Sequence, residues 1–246
     1  MGRIITSLLI SLCISHAPFA DGLTPDITRL KQPRPQSVLF IGNSYLYYND
    51  SLHNHFKRMA NENYPGYEGS QNVKSSTIGG SRLKHHNLDH LLEPKAISSI
   101  KKFDLVILQG GSGEGLSKKN RKVFAQTARE HITKITANGS QGALYMIHAY
   151  IEPHENFDPN LIGLIEEMYV AAGNANQALV IPVGLAFENA YRHRPDIELH
   201  NLDGTHPSLL GTYLAACTVF ALSLIHISEP TRPERLGGGG GGVEKK

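Results

Sequence analysis

Five short strand-like runs, at 37–41, 72–78, 103–109, 142–149 and 178–182, alternate with longer helix-like segments along this chain. The helical segments are 51–63, 81–92, 117–138, 159–175 and 208–221. Strands separated by helices cannot pair as tight hairpins. They run parallel, and the intervening helices must cover both faces of the sheet. The expected fold class is therefore α/β, a three-layer α/β/α sandwich with about five parallel strands. The runs "FDLVILQ" (103–109) and "ALVIPV" (178–183) are almost wholly apolar, as central strands buried on both faces should be. Ligands of such sheets bind beyond the carboxyl ends of the strands. Three polar motifs fall there: "GNS" at 42–44, "GGS" at 79–81 and "QGGSGEG" at 109–115.

The two ends of the 246-residue chain read differently from its body. Residues 1–20 have the form of a secretory signal, with Arg3 as the charged start, an apolar stretch over 4–14 and small residues Ala17 and Ala20 near the end. The apolar stretch is too short to span a bilayer. The expectation is export, periplasmic or extracellular, with no stable membrane insertion after cleavage. Residues 21–36 are a polar, proline-rich extended lead-in, and 37–221 form one domain. Residues 222–246 read as a non-native tail: "LSLIHISEPTR" is a frame translation of a common transposase sequencing adapter, and six glycines follow at 237–242.

Without those ends, lysine plus arginine and aspartate plus glutamate each number 19, so the body is formally neutral. That balance gives no electrostatic basis for nucleic-acid binding. Cys217 is the sole cysteine of the body, so no internal disulfide can form there, and the apolar core must stabilise the fold.

Ser44 follows the first strand, where Gly42 permits close backbone approach. Its hydroxyl could act as a nucleophile if a base reached it; alternatively it is a turn or cap serine. A base occurs far downstream in "LDGTHPSLLG", where Asp203 and His206 precede a proline and the last helix. The carboxylate could accept from one ring nitrogen and leave the other to face Ser44. Tyr45, Tyr47 and Tyr48 either line a sugar-binding wall or pack around the turn, and Asn49 and Asp50 are placed to cap the next helix.

Together, "IGNSY", "STIGGSRL" and "DGTHP" resemble the motif blocks of the SGNH (GDSL-type) hydrolase superfamily over about residues 37–221. The resemblance implies a flavodoxin-like sheet. It also implies a serine esterase with Ser44 as nucleophile, His206 as base and Asp203 as its orienting carboxylate. The oxyanion would be held by the N–H groups of Ser44 and Gly80, the latter preferred to Gly79. A third donor is commonly an asparagine in that superfamily. Here the third block lacks one, and Gln109, or else Ser112, takes the place, as in some carbohydrate-esterase branches. The implied substrate is a small-molecule or carbohydrate ester, probed by Tyr45, Tyr47 and Ser112. No metal or organic cofactor is implied. A lipid esterase or lysophospholipase, and a non-catalytic carbohydrate-binding module, are the alternative readings.

Other polar clusters carry less. His86, Asp89 and His90 share one face of the expected helix 81–92, but no companion motif would close a metal site, so a solvated polar face is expected. "GGSGEGLSKK" lacks the spacing of a phosphate loop, and "HENF" has no second histidine for a zinc-protease helix.

Overall fold

The computed structural model describes residues 23–225. Its centre is a five-stranded, wholly parallel sheet. The strands are β1 (Val38–Gly42), β2 (Val73–Thr77), β3 (Leu105–Gln109), β4 (Gln141–Tyr145) and β5 (Leu179–Ile181). Their order is β2-β1-β3-β4-β5, the flavodoxin-like order, so the chain reverses direction across the sheet between β1 and β3. Helices flank this sheet: α1 (Ser44–Tyr47), α2 (Leu52–Asn63), α3 (Gly69–Asn72), α4 (Leu88–Leu91), α5 (Lys118–Ala137), α6 (Leu161–Asn176), α7 (Val183–His193) and α8 (Leu209–Ser223). α2 packs on α8, and α5 on α6. The core runs through both layers, with every residue of β1 and β3 buried.

Three departures from the sequence reading have local causes. β5 is an edge strand rather than a central one; its three residues are nonetheless buried because α6 and α8 pack against it. β4 stops at Tyr145, short of the expected 149, because the neighbouring β5 ends at Ile181 and Pro182 leads directly into α7. The chain instead peels away through Gly184 N–H, which donates to the Met146 carbonyl at 3.0 Å.

The expected helix 81–92 is broken into a 3-10 turn (Leu83–His85) and the short α4. The His85 ring accepts from the Arg82 N–H (3.1 Å), and the Asn87 side chain caps α4 by accepting from the His90 N–H (3.3 Å). His86 is consequently buried with its Nε2 2.9 Å from the Ser81 hydroxyl, not solvated on a polar face. α7 was not foreseen. It starts directly after Pro182, and its apolar residues Val183, Phe187 and Tyr191 recur at helical spacing.

The lead-in is stitched to the sheet's amino-terminal edge. The Gln36 and Ser37 N–H groups donate to Asp104 Oδ2 (2.9 and 3.0 Å), and Gln32 exchanges two backbone bonds with the Gln141 amide. α8 extends two residues past 221, and Leu224 beyond it is buried, with its carbonyl accepting from the Tyr64 hydroxyl at 2.8 Å. The expected signal segment and most of the expected tail lie outside the described residues.

Candidate active site

β1 delivers Ser44 to the carboxyl edge of the sheet, at the crossing between β1 and β3. Asn43 caps the short α1, its side-chain oxygen accepting from the Tyr45 N–H at 3.0 Å. Its Nδ2 donates to the Ser81 carbonyl at 3.0 Å, which fastens the loop after β1 to the loop after β2. Ser44 is 8% exposed. Its Oγ lies 2.9 Å from His206 Nε2, and His206 Nδ1 lies 2.6 Å from Asp203 Oδ2. The three residues proposed from sequence spacing thus form one continuous hydrogen-bonded chain.

The 203–206 loop has little freedom. Asp203 Oδ1 accepts from the N–H groups of Thr205 and His206, both at 3.0 Å. Gly204 adopts φ +67°, and a Cβ there would stand 2.3 Å from the Ile151 carbonyl oxygen, so only glycine fits. Burial raises the Asp203 carboxyl, but the bonds from the His206 ring and the two N–H groups outweigh it and hold the group below the usual carboxylate range. An anionic Oδ2 facing Nδ1 fixes the proton of neutral His206 on Nδ1, leaving Nε2 to accept from Ser44.

Aromatic rings build the wall behind the Ser44–His206–Asp203 chain. Tyr48 stacks on His206 with centroids 4.2 Å apart. Tyr45 is 2% exposed, and its hydroxyl meets Thr205 Oγ1 at 2.7 Å. Tyr45 therefore offers no surface to a substrate, which corrects its expected place in a binding wall; it supports the 203–206 loop from beneath. Its ring stacks on His148 (4.3 Å), which stacks in turn on Phe187 (4.5 Å).

His148 Nε2–H donates to the Thr205 carbonyl at 2.8 Å, and His200 Nε2–H donates to the Ala149 carbonyl at 3.0 Å. Burial pushes His148 down to about 3 and His200 to about 4, so both remain neutral struts at ordinary pH. Neither histidine was singled out from the sequence. The one available signal was a histidine inside the apolar run "YMIHAY". Tyr47 is exposed and its hydroxyl comes within 3.2 Å of a Cβ built on Gly79, so it borders the second loop.

Asn49 and Asp50 do not cap α2. Asn49, Asp50 and Ser51 form three consecutive left-handed residues (φ 52°, 66° and 59°). Such residues each cost on the order of 1 kcal/mol or more and persist where surrounding contacts hold them. The holding contacts are Asn49 Nδ2 to the Pro207 carbonyl (2.7 Å) and to Thr212 Oγ1 (3.1 Å), and the Asp50–Arg58 ion pair. The tyrosine turn is thereby tied to the start of α8.

Among the described residues, no acceptor takes the N–H of Ser44 or of Gly80, and Gly80 has φ +66°. Gln109 is 1% exposed and sits over Gly42, where a Cβ would come within 2.2 Å of its Oε1. Oε1 accepts from the Asn43 N–H at 2.8 Å, and Nε2 donates to the Gly110 carbonyl. The Asn43 N–H requires an oxygen opposite it, so the amide cannot be flipped. As placed, Gln109 braces the ends of β1 and β3, and its NH2 is turned to backbone. Ser112, the alternative donor, lies beside the Tyr45 and Tyr150 hydroxyls. Among the described residues, no three metal-binding side chains gather.

Replacing Tyr45 with phenylalanine removes the hydroxyl contact to Thr205 and leaves the His148 tie. One such bond is worth about 1 kcal/mol. The expected result is an unchanged KM, a severalfold lower kcat and a small drop in thermal midpoint. Kinetics identical to those of the unaltered protein would mean that His148 alone holds the loop.

No family model and no curated relative matches the chain. Solved structures match at low identity. A provisionally assigned SGNH hydrolase from Slackia heliotrinireducens superposes with a TM-score of 0.60 at 22% identity, covering 76% of this chain and 97% of that one. A catalytic mutant of an acetylxylan esterase from Geobacillus stearothermophilus gives 0.59 at 15% identity, with 80% and 98% covered. A DUF4886 family protein from Bacteroides uniformis gives 0.57 at 19% identity, with 81% and 87% covered. At these identities the likeness is one of fold.

Proposed function

We propose that this chain is an exported serine esterase that removes acetyl groups from carbohydrate esters. The observation that carries the reading is the unbroken Asp203–His206–Ser44 chain at 2.6 and 2.9 Å, mounted where β1 and β3 diverge. A binding module that had lost catalysis would have no reason to keep a buried serine, an oriented imidazole and an ionised carboxylate in line.

His206 Nε2 takes the Ser44 proton as Oγ bonds to the ester carbonyl carbon. The carbonyl electron pair moves onto oxygen, where the N–H groups of Ser44 and Gly80 stabilise it. His206 then returns the proton to the departing alcohol as the C–O bond breaks. Water, deprotonated by the same nitrogen, releases the acid from the acyl-enzyme. Gln109 keeps the Asn43 N–H and the Gly110 carbonyl in place. Recruiting its NH2 as a third donor would require breaking its bond to Gly110.

The carbohydrate preference rests on the exposed Tyr47 beside the second loop and on fold likeness to acetylxylan esterases. Purified protein is expected to release acetate from acetylated xylo-oligosaccharides. It should hydrolyse p-nitrophenyl octanoate with kcat/KM at least about tenfold below that for p-nitrophenyl acetate. A preference for the octanoate would favour a lipid esterase instead.

A further inference from the structure

Glu114 has a part in this site that its exposure alone would not suggest. It is 1% exposed, in the loop after β3, and its two carboxylate oxygens face different loops. Oε2 accepts from the Gly111 N–H at 2.8 Å, within its own loop. Oε1 accepts from the Leu83 N–H at 3.2 Å, in the loop after β2 that carries Gly80 and Ser81. The neighbouring Gly110 N–H is taken by the Tyr169 hydroxyl of α6 at 3.0 Å. A buried carboxylate is costly to keep, and an amide or hydroxyl could serve a merely structural turn.

We propose that Glu114 is a positioning residue for the oxyanion side of the site, its carboxylate tying the Gly80 loop to the Gln109–Gly111 loop, which Gln109 joins to Asn43, so that the Gly80 N–H keeps a fixed place relative to the Ser44 N–H. The proposal rests on the esterase reading of Ser44, His206 and Asp203.

The tie is strongest when Glu114 is ionised, because both carboxylate oxygens then accept charge-assisted bonds. Protonation leaves one carbonyl oxygen as a full acceptor and makes the other a hydroxyl oxygen that accepts more weakly from its N–H. Burial pushes the Glu114 carboxyl up to about 7, against the Gly111 and Leu83 bonds and the nearby Arg82 and Lys84 charges, which favour ionisation. The other titratable groups around it are Tyr169 on α6 and His131 on α5, whose Nε2 lies 3.4 Å from the Leu83 carbonyl. Because the folded value lies above the unfolded one, stability conferred by protonated Glu114 is lost as pH rises towards 7, while the tie between the loops strengthens over the same interval.

Amide resonances of Leu83 and Gly111 in isotopically labelled protein are expected to shift together with a midpoint near 7 and to stop titrating in Glu114→Gln. At about pH 8.5 the same variant should hydrolyse p-nitrophenyl acetate with kcat lowered about tenfold to a hundredfold and KM within about twofold, since the lost effect acts on the transition state. Glu114→Asp, which keeps the charge but is too short to bridge both loops, should show the same split and serves if the glutamine variant does not fold. Leu83 and Gly111 amide resonances unchanged in Glu114→Gln, or a kcat equal to that of the unaltered protein in a folded variant, would overturn the proposal. Failure of the unaltered protein to turn over any ester or to be labelled by a fluorophosphonate would instead sink the Ser44 reading, and the amide resonances would still judge the tie.

Discussion

Ser44→Ala is expected to abolish hydrolysis of p-nitrophenyl acetate, with kcat falling by roughly four orders of magnitude or more. The Ser44 hydroxyl has one side-chain partner, His206 Nε2, so the substitution removes a single bond worth about 1 kcal/mol and opens no sizeable cavity. The variant should therefore fold and melt close to the unaltered protein, and a fluorophosphonate should label only the latter. Undiminished turnover in folded Ser44→Ala would remove Ser44 as nucleophile. It would leave Ser112 as a nearby serine to test.

Asp203→Asn should be nearly as damaging for a different reason. Asp203 Oδ1 accepts from two backbone N–H groups, so an asparagine must place its oxygen there and turn its NH2 towards His206 Nδ1. That forces the imidazole proton onto Nε2, which then donates towards Ser44 and cannot accept its proton. The loop geometry survives and the base is lost, with an expected fall of about 10⁴ in kcat.

The carboxyl of Asp203 is held below the ordinary range, with burial opposing and the hydrogen bonds prevailing. Its contribution to stability is accordingly present above the unfolded value and lost only as pH falls through the lowered folded one. Asp203 thus stays charged through the neutral range, so a fall in kcat on mild acidification is expected to have another origin, with the proposed Glu114 tie as a contributor. Retention of activity within about tenfold in Asp203→Asn would mean that the carboxylate does not select the tautomer.

The strand pattern and the three site residues were legible along the chain because each rests on short-range information. Val38–Ile41 and Leu105–Leu108 are apolar throughout, and "DGTHP" contains its own carboxylate, its left-handed glycine and its histidine within five positions. α7 escaped notice because no glycine or polar spacer separates it from β5. The metal-like face of His86, Asp89 and His90 dissolved once Asn87 restarted the helix and turned His86 inward to Ser81.

What residue type and spacing established is the alternating α/β order, while the choice of Ser44, His206 and Asp203, at opposite ends of the domain, rested on the resemblance of their motif blocks. The order follows from local periodicity, and the motif blocks hold functional groups that few other side chains supply. Long-range packing assigned the rest. It turned Tyr45 from a surface ring into a buried prop, set His148 under Thr205, bound Gln109 into a brace and buried Glu114 between two loops. Each of those roles depends on which polar group faces the side chain across thirty or more residues of intervening chain, and on exclusion of water, which composition and spacing do not encode.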